Sequence, residues 1–490
     1  MADRAGEPVL QVDQIQGNII PGFNKDFQTF LFLRIVKGEE THFKEWLRAL
    51  IPSITTTKQV LAFRDLLTKE EKHGQPPKTK STWVNIAFSY EALKQLNIPE
   101  IHKFKDVAFR EGLWQRSEGL GDPKDSQQNW VVGGNSNTAD VILTVASDDR
   151  LDLHNEVARI ETSIYAPITK KVQPTRSGAT VIFKQQGANL PEPLAGHEHF
   201  GFRDGISQPG IRGRISPKTP PAKNDYLTQC ENRTDPDQGN PGQELLWPGE
   251  FVFVPRYPKQ NPKGGKLENW LNTVAPSWAE NGSFLVVRRL RQDVHAFHKF
   301  LHDTAAALKI DSDLLGAKCV GRWASGAPIV RTSMEDDAAL GQNDFLNNDF
   351  KFRDWEHQDP SGLSCPFAAH IRKVYPRDDE VESGQRPSGW NTNLNENETQ
   401  THRLLRRGIP YGEPSPSSPH APLKDKMDRG LLFLSYQTSI ENQFEFIQKK
   451  MANNSDFKEQ KSGHDPIIGQ NNGGSQTFLI KFKDKTEEVS

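Results

Sequence analysis

Cysteine is scarce in this chain. Cys230, Cys319 and Cys365 are the only three in 490 residues, and no two of them stand in a CxxC pair. That pattern excludes a disulfide framework and a zinc ribbon, and leaves free buried thiols as the expectation. Long apolar runs are missing too. Nothing approaches the roughly 18 to 20 residues that cross a bilayer, so no membrane partner is expected. The formal net charge is only −2 and no long basic block appears. Nucleic acid is therefore not an expected partner, because affinity for it comes from clustered Lys and Arg neutralising phosphates. Met1–Gln11 is polar and acidic where a secretory leader is basic and then apolar, which points to a cytoplasmic protein.

Several catalytic signatures are absent as well. Gly264-Gly265-Lys266 is followed by Leu267 rather than Ser or Thr, and no strand–GxGxxG–helix unit occurs, which removes the nucleotide-binding loops. Neither the Gly-x-Ser-x-Gly elbow nor HExxH is found.

What is present is a globular composition, 35% hydrophobic and 25% charged, in a chain of 490 residues. At about 150 residues per domain, that length argues for two or more domains. A strand run followed by an amphipathic helix recurs four times. Gln28–Val36 precedes a helix in which Phe43, Trp46, Leu47, Leu50 and Ile51 share a face. Ala139–Ala146 precedes one that aligns Leu153, Val157 and Ile160, and Ser283–Arg288 precedes one that aligns Val294, Phe297, Leu301 and Leu308. Gly430–Tyr436 precedes one that aligns Ile440, Phe444, Ile447 and Met451, opening with Thr438-Ser439-Ile440-Glu441 at capping-box spacing. Other strand runs lie at Trp83–Ser89, Ala179–Lys184, Phe251–Pro255 and Gln476–Lys483. This predicts a duplicated α+β fold, each half a sheet with helices on one face. Residues 1–215 and 244–490 form the halves, and Ser216–Gln243, rich in Pro, Asn, Asp and Gly, links them. Asp336–Asp428 is a second irregular stretch, and loops of that length are usually functional.

Histidines are the first candidates for chemistry. His295, His298 and His302 fall on one predicted helix, where a polar flank is the simpler reading than a metal face. His197 and His199 alternate on an extended segment and so point the same way, but no third ligand follows at zinc-like spacing. Asp204 sits in Gly201-Phe202-Arg203-Asp204-Gly205-Ile206-Ser207-Gln208-Pro209, where Asp is commonly a turn former.

That last segment carries the Gly-x-x-Asp-Gly motif of the dye-decolorizing peroxidases, and further segments resemble the family in the same order. They include Ile15-Gln16-Gly17-Asn18-Ile19, Gly249-Glu250-Phe251, Asn281-Gly282-Ser283-Phe284, Gly321-Arg322-Trp323-Ala324-Ser325-Gly326 and Cys365-Pro366-Phe367-Ala368-Ala369-His370. Arg406-Arg407-Gly408-Ile409-Pro410-Tyr411-Gly412 and Gly463-His464-Asp465-Pro466-Ile467-Ile468-Gly469 complete the series. The resemblance runs from about residue 14 to 483 and is to the long subgroup that includes the fungal enzymes.

The resemblance implies two tandem ferredoxin-like domains and one haem b per chain. It implies a peroxidase that reduces hydrogen peroxide and oxidises bulky organic reductants such as dyes and phenols. His370 becomes the iron ligand, and Asp204 and Arg406 the groups across the haem, with Arg407 as Arg406's adjacent rival. A carboxylate there can pass a peroxide proton between oxygens, and a permanent cation can stabilise the charge that develops. Leu431 and Phe433, alternating on one strand, wall that pocket. Asp465 is the partner of the His370 ring, or else a turn former before Pro466. Arg372 meets a haem propionate, or else makes an ordinary ion pair. Tyr411 carries electrons near the surface. The rival function is a haem-binding or haem-handling protein with incidental peroxidase activity; monomer and dimer stay open.

Overall fold

The structure is a computed structural model that describes residues 8–72, 79–165, 177–222, 225–228, 239–254, 270–353, 358–379, 399–482 and 485–490. Its first sheet contains β1 (Phe27–Ile35), β2 (Thr82–Phe88), β3 (Val141–Ser147) and β4 (Ala179–Ala188) in the order β2-β3-β1-β4. Every pairing in it is antiparallel. Helices Glu40–Leu50 and Arg150–Tyr165 follow β1 and β3, giving the ferredoxin-like βαββαβ arrangement. On β1 the alternation of side chains sorts two cores. Leu31, Leu33 and Ile35 pack with Phe43, Trp46, Leu153 and Ile160 of the helices. Phe30 and Phe32 point the other way, onto Ile409, Tyr411, Leu432 and Leu434 of the second half. Because both faces of β1 are covered, the strand reads as a near-continuous apolar run.

Two-residue strands β5 (Gly210–Ile211) and β6 (Leu245–Leu246) pair in parallel on either side of the expected linker, which is described only in part. The second sheet contains β7 (Phe284–Arg291), β8 (Leu405–Arg406), β9 (Ile409–Tyr411) and β10 (Gly430–Gln437). β10 is central, with β7 on one side and β8 and β9 on the other, all antiparallel. The architecture is thus α+β with antiparallel sheets and packed helices, as the sequence predicts. No helix among the described residues is long and apolar enough to cross a membrane.

Several local expectations need correction. The run Gln476–Lys483 does yield a strand, β11 (Phe478–Lys481), but it pairs with β12 (Thr486–Val489) rather than completing the second sheet. Its Phe478 and Ile480 are buried against Leu301, Ala305 and Leu315, which draws it onto the helices instead. Phe251–Val254 is not a strand: a 3-10 turn at Pro248–Glu250 leads into it, and Phe253 exchanges backbone bonds with the turn at Asn281 and Gly282. Ile51 leaves the predicted apolar face and is 57% exposed, because Pro52 converts the helix end into a 3-10 turn. The helix after β10 is wound as two π-helical segments, Ile440–Glu445 and Ile447–Ala452. Its cap sits one residue later than predicted. Ser439 accepts from the Asn442 N–H, and Gln443, not Glu441, reaches back to the Ser439 N–H. Of the cysteines, Cys319 and Cys365 are free and buried; Cys230 lies outside the described residues.

Candidate active site

Asp204 is presented by a tight loop. Gly201 and Gly205 adopt φ of +95° and +78°, a region that favours glycine, and the Asp204 N–H donates to Gly196 O at 3.1 Å. Asp204 Oδ1 accepts from the Gly205 N–H at 2.6 Å and from Arg406 Nη1 at 2.9 Å. Nothing among the described residues donates to its Oδ2. Arg406 lies on β8 directly opposite Ser435 of β10. Side chains opposite one another in an antiparallel pair share a face, so Arg406 lies on the same face as Ser435, Phe433 and Leu431. Arg407 donates instead to Asn18 O and Ile19 O, so of the two arginines it is Arg406 that bonds Asp204. Burial would raise the Asp204 pKa, but the Arg406 charge, the Gly205 N–H and the charge on His370 together pull it below its ordinary 3.8.

His370 opens the helix His370–Val374 and donates from Nδ1 to Asp465 Oδ2 at 2.8 Å. Asp465 is completely buried, and its Oδ1 accepts from the Ile467 and Ile468 N–H groups at 2.8 and 3.0 Å. One Asp465 oxygen thus meets the His370 ring and the other closes the turn after Pro466. Burial pushes the His370 pKa down, but the charge and hydrogen bond of Asp465 outweigh it and the net shift is upward. No described group hydrogen-bonds Nε2, and His370 lies within electrostatic reach of both Asp204 and Arg406. An imidazole with one nitrogen fixed by a carboxylate and the other unpartnered is the donor a haem iron requires. The residues present fit that group.

Two expected site residues are placed elsewhere. Arg372 is fully buried, with Nε on Asp379 Oδ2 at 2.6 Å and Nη1 on Asp359 Oδ2 at 3.1 Å and Cys365 O at 2.6 Å. Its guanidinium is sandwiched by the rings of Phe352 and Phe367, so it is no propionate ligand. Tyr411 is only 2% exposed. It stands opposite Gly430, whose missing side chain makes room for it, in the core between the sheets, and is not a surface residue. The rival metal reading also lacks convergence. His197 bonds Ala195 O and Ala324 O, whereas His199 bonds Tyr411 O. His298 is buried between Ser417 Oγ and Phe200 O, and His302 meets Pro419 O.

Three supporting residues escaped the sequence reading. The Gln208 side chain clamps Arg406 by accepting from its N–H and donating to its carbonyl, both at 3.2 Å. Glu198 accepts from the Phe200 and Phe202 N–H groups at 2.8 and 3.0 Å, stapling the turn that leads to Asp204. Burial pushes its carboxyl up to about 7. Lys373, one turn after His370, donates to Asn454 O at 2.8 Å, to Gly463 O at 2.5 Å and to Phe457 O. Gln208 lay inside the motif that revealed Asp204; nothing local marks Glu198 or Lys373.

Residues 14–178 match the family described as the DyP dimeric alpha+beta barrel domain, and residues 333–464 match Dyp-type peroxidase, C-terminal. The chain is 34% identical to dye-decolorizing peroxidase msp1 of Mycetinis scorodonius, over 96% of this chain and 78% of that one. It is 27% identical to the multifunctional dye peroxidase DyP2 of an Amycolatopsis species, over 97% and 89%. The solved structure of an ancestral D-type dye decolorizing peroxidase superposes with a TM-score of 0.74 at 32% identity, covering 98% of this chain and 94% of that one. Fold, site and relatives define the class as a haem-dependent peroxidase. The chain belongs to the dye-decolorizing peroxidase family.

Proposed function

We propose that this chain carries one haem b with His370 Nε2 on its iron, and that it reduces hydrogen peroxide at Asp204 and Arg406 while oxidising organic reductants such as dyes and phenols. Bound haem would supply the redox chemistry that links peroxide to the organic reductant. Asp204 Oδ2, to which none of the described residues donates, accepts a proton from one peroxide oxygen and returns it to the other, so that water departs. Arg406 keeps Asp204 ionised for that task and stabilises the negative charge that grows as the O–O bond breaks. Asp465 holds the His370 ring in one tautomer and makes it more basic. Leu431 and Phe433, on the Arg406 face of β10, bound the pocket and restrict it to small molecules. In the proposed division of the chain, Asp204 comes from 1–215 and Arg406 and His370 come from 244–490.

The observation that carries this reading is the Asp204–Arg406 pair within electrostatic reach of an imidazole whose other nitrogen is fixed by a buried carboxylate. An absorption spectrum of the haem-loaded protein, before and after one equivalent of peroxide, tests it. A Soret band that changes within the mixing time supports the proposal. A band that only bleaches slowly favours haem handling, and no Soret band after reconstitution overturns it.

A further inference from the structure

A cavity of about 640 Å³ reaches Asp204, Gly205 and Arg406, and it is strongly cationic. Lys25, Arg64, Arg406 and Arg407 line it, against Asp204 as the one carboxylate among the described lining residues. Two of these cations are neutralised, Lys25 by Asp148 and Arg406 by Asp204. Among the described residues the other two meet carbonyl oxygens. Arg64 Nη2 donates to Gly22 O at 3.0 Å. Arg407 donates to Asn18 O at 3.0 Å, Arg406 O at 2.8 Å and Ile19 O at 2.9 Å. No carboxylate pairs with either among the described residues.

The chain makes room for this arrangement. Gly22 has φ +96°, and a Cβ on it would lie 2.4 Å from Arg407 Nε. Carbonyl dipoles compensate a guanidinium less completely than an anion does. Burial, with repulsion from Arg64 and Arg406, pushes Arg407 down to about 10, and burial lowers Arg64 as well. Both charges would gain from an anion in the cavity. Its size falls in the roughly 300–1,000 Å³ range of small-molecule sites. Ile20, Leu227 and Ile409 also line it, giving a ring an apolar surface beside the cations.

We propose that Arg64 and Arg407 form a subsite for a small aromatic carboxylate beside Asp204 and Arg406, and that phenolic carboxylates are a substrate class of this enzyme. The second half of this rests on the peroxidase reading above. In balance, two phenols each lose one electron and one proton, and one peroxide takes up both to become two waters.

Calorimetric titration of the haem-loaded protein with benzoate tests the subsite without turnover. Benzoate binds the unaltered chain, and Arg64→Gln weakens it about tenfold or more, the value of one charge-assisted hydrogen bond. Benzamide, which is neutral, does not bind measurably, and equimolar inorganic phosphate does not displace benzoate. Equal benzoate affinity in Arg64→Gln overturns the subsite, as does equal binding of benzamide. Displacement by phosphate would reduce it to a general anion hole and also overturn the proposal. Arg407→Gln removes backbone anchors and can fail to fold, so Arg64→Gln is the deciding variant. In turnover, Arg64→Gln raises the KM for 4-hydroxybenzoate about tenfold relative to that for its methyl ester. An unchanged ratio contradicts the substrate class. Absence of peroxide reduction in the unaltered chain would instead overturn the functional reading, while the benzoate titration still decides the subsite.

Discussion

Around His370 the supporting polar groups are spent and hidden, whereas on the Asp204 side bonding capacity is left open. Asp465 uses both oxygens, Lys373 uses three carbonyl partners, and the side chains of both are fully buried. Asp204 and Arg406 retain side-chain exposures of 37% and 29%, and Asp204 Oδ2 is unpartnered among the described residues. The contrast fits what the proposed function asks of each side. A ligand to iron has to be held in one orientation, and a buried network does that at the cost of intolerance to change. A group that exchanges protons with a small molecule needs a free lone pair and a path to it. Even so, the open side is not loose, because Gln208 and Ser207 fix Arg406 from the loop that carries Asp204.

This contrast can be broken at either side, and the expected effects differ in kind. Asp204→Asn should reduce the bimolecular rate with peroxide by about 10²- to 10⁴-fold, with folding stability nearly unchanged. Stopped-flow absorbance and a thermal melt check both halves, and a rate within twofold of the unaltered enzyme would place the proton chemistry elsewhere. Arg406→Leu should cost roughly 10²- to 10³-fold in the same rate. Lys373→Met should act in the opposite way. It strands three buried carbonyls and should lower unfolding free energy by roughly 2–4 kcal/mol, read from denaturant titration. A stable variant would show that the His370 side is not the rigid one. The smallest effect is expected at Tyr411→Phe. Its hydroxyl is buried with no hydrogen-bond partner among the described residues, so stability should stay within about 0.5 kcal/mol and dye turnover should be unaltered. A large loss of dye turnover there would restore Tyr411 as an electron carrier despite its burial.

The strand–helix repetition made the α+β duplication legible, and the ordered motifs singled out Asp204 and Arg406, and His370 and Asp465, which the structure joins as two hydrogen-bonded pairs. The failures have physical causes. Arg372 is two residues from His370 on one helix, where such residues point to different sides, and its guanidinium is taken up by Asp359 and Asp379, which no local pattern records. Tyr411 is separated from Arg406 by the break between β8 and β9, and strand alternation cannot be counted across it. Its burial depends on where the first sheet docks, which no local pattern records. Glu198 and Lys373 were invisible because their partners are backbone groups, which have no sequence signature, and in the case of Glu198 also the distant Gln292 side chain.

The pH dependence of the peroxide rate in the unaltered enzyme and in Arg406→Leu tests the central claim most directly. Asp204 is held below its ordinary 3.8 chiefly by Arg406, so it stays ionised as acid is added and takes its proton only below that value. The account predicts an acid limb below pH 3.8 in the unaltered enzyme and a limb displaced to higher pH in Arg406→Leu. Limbs that coincide in the two proteins, or one that persists unchanged in Asp204→Asn, would contradict it.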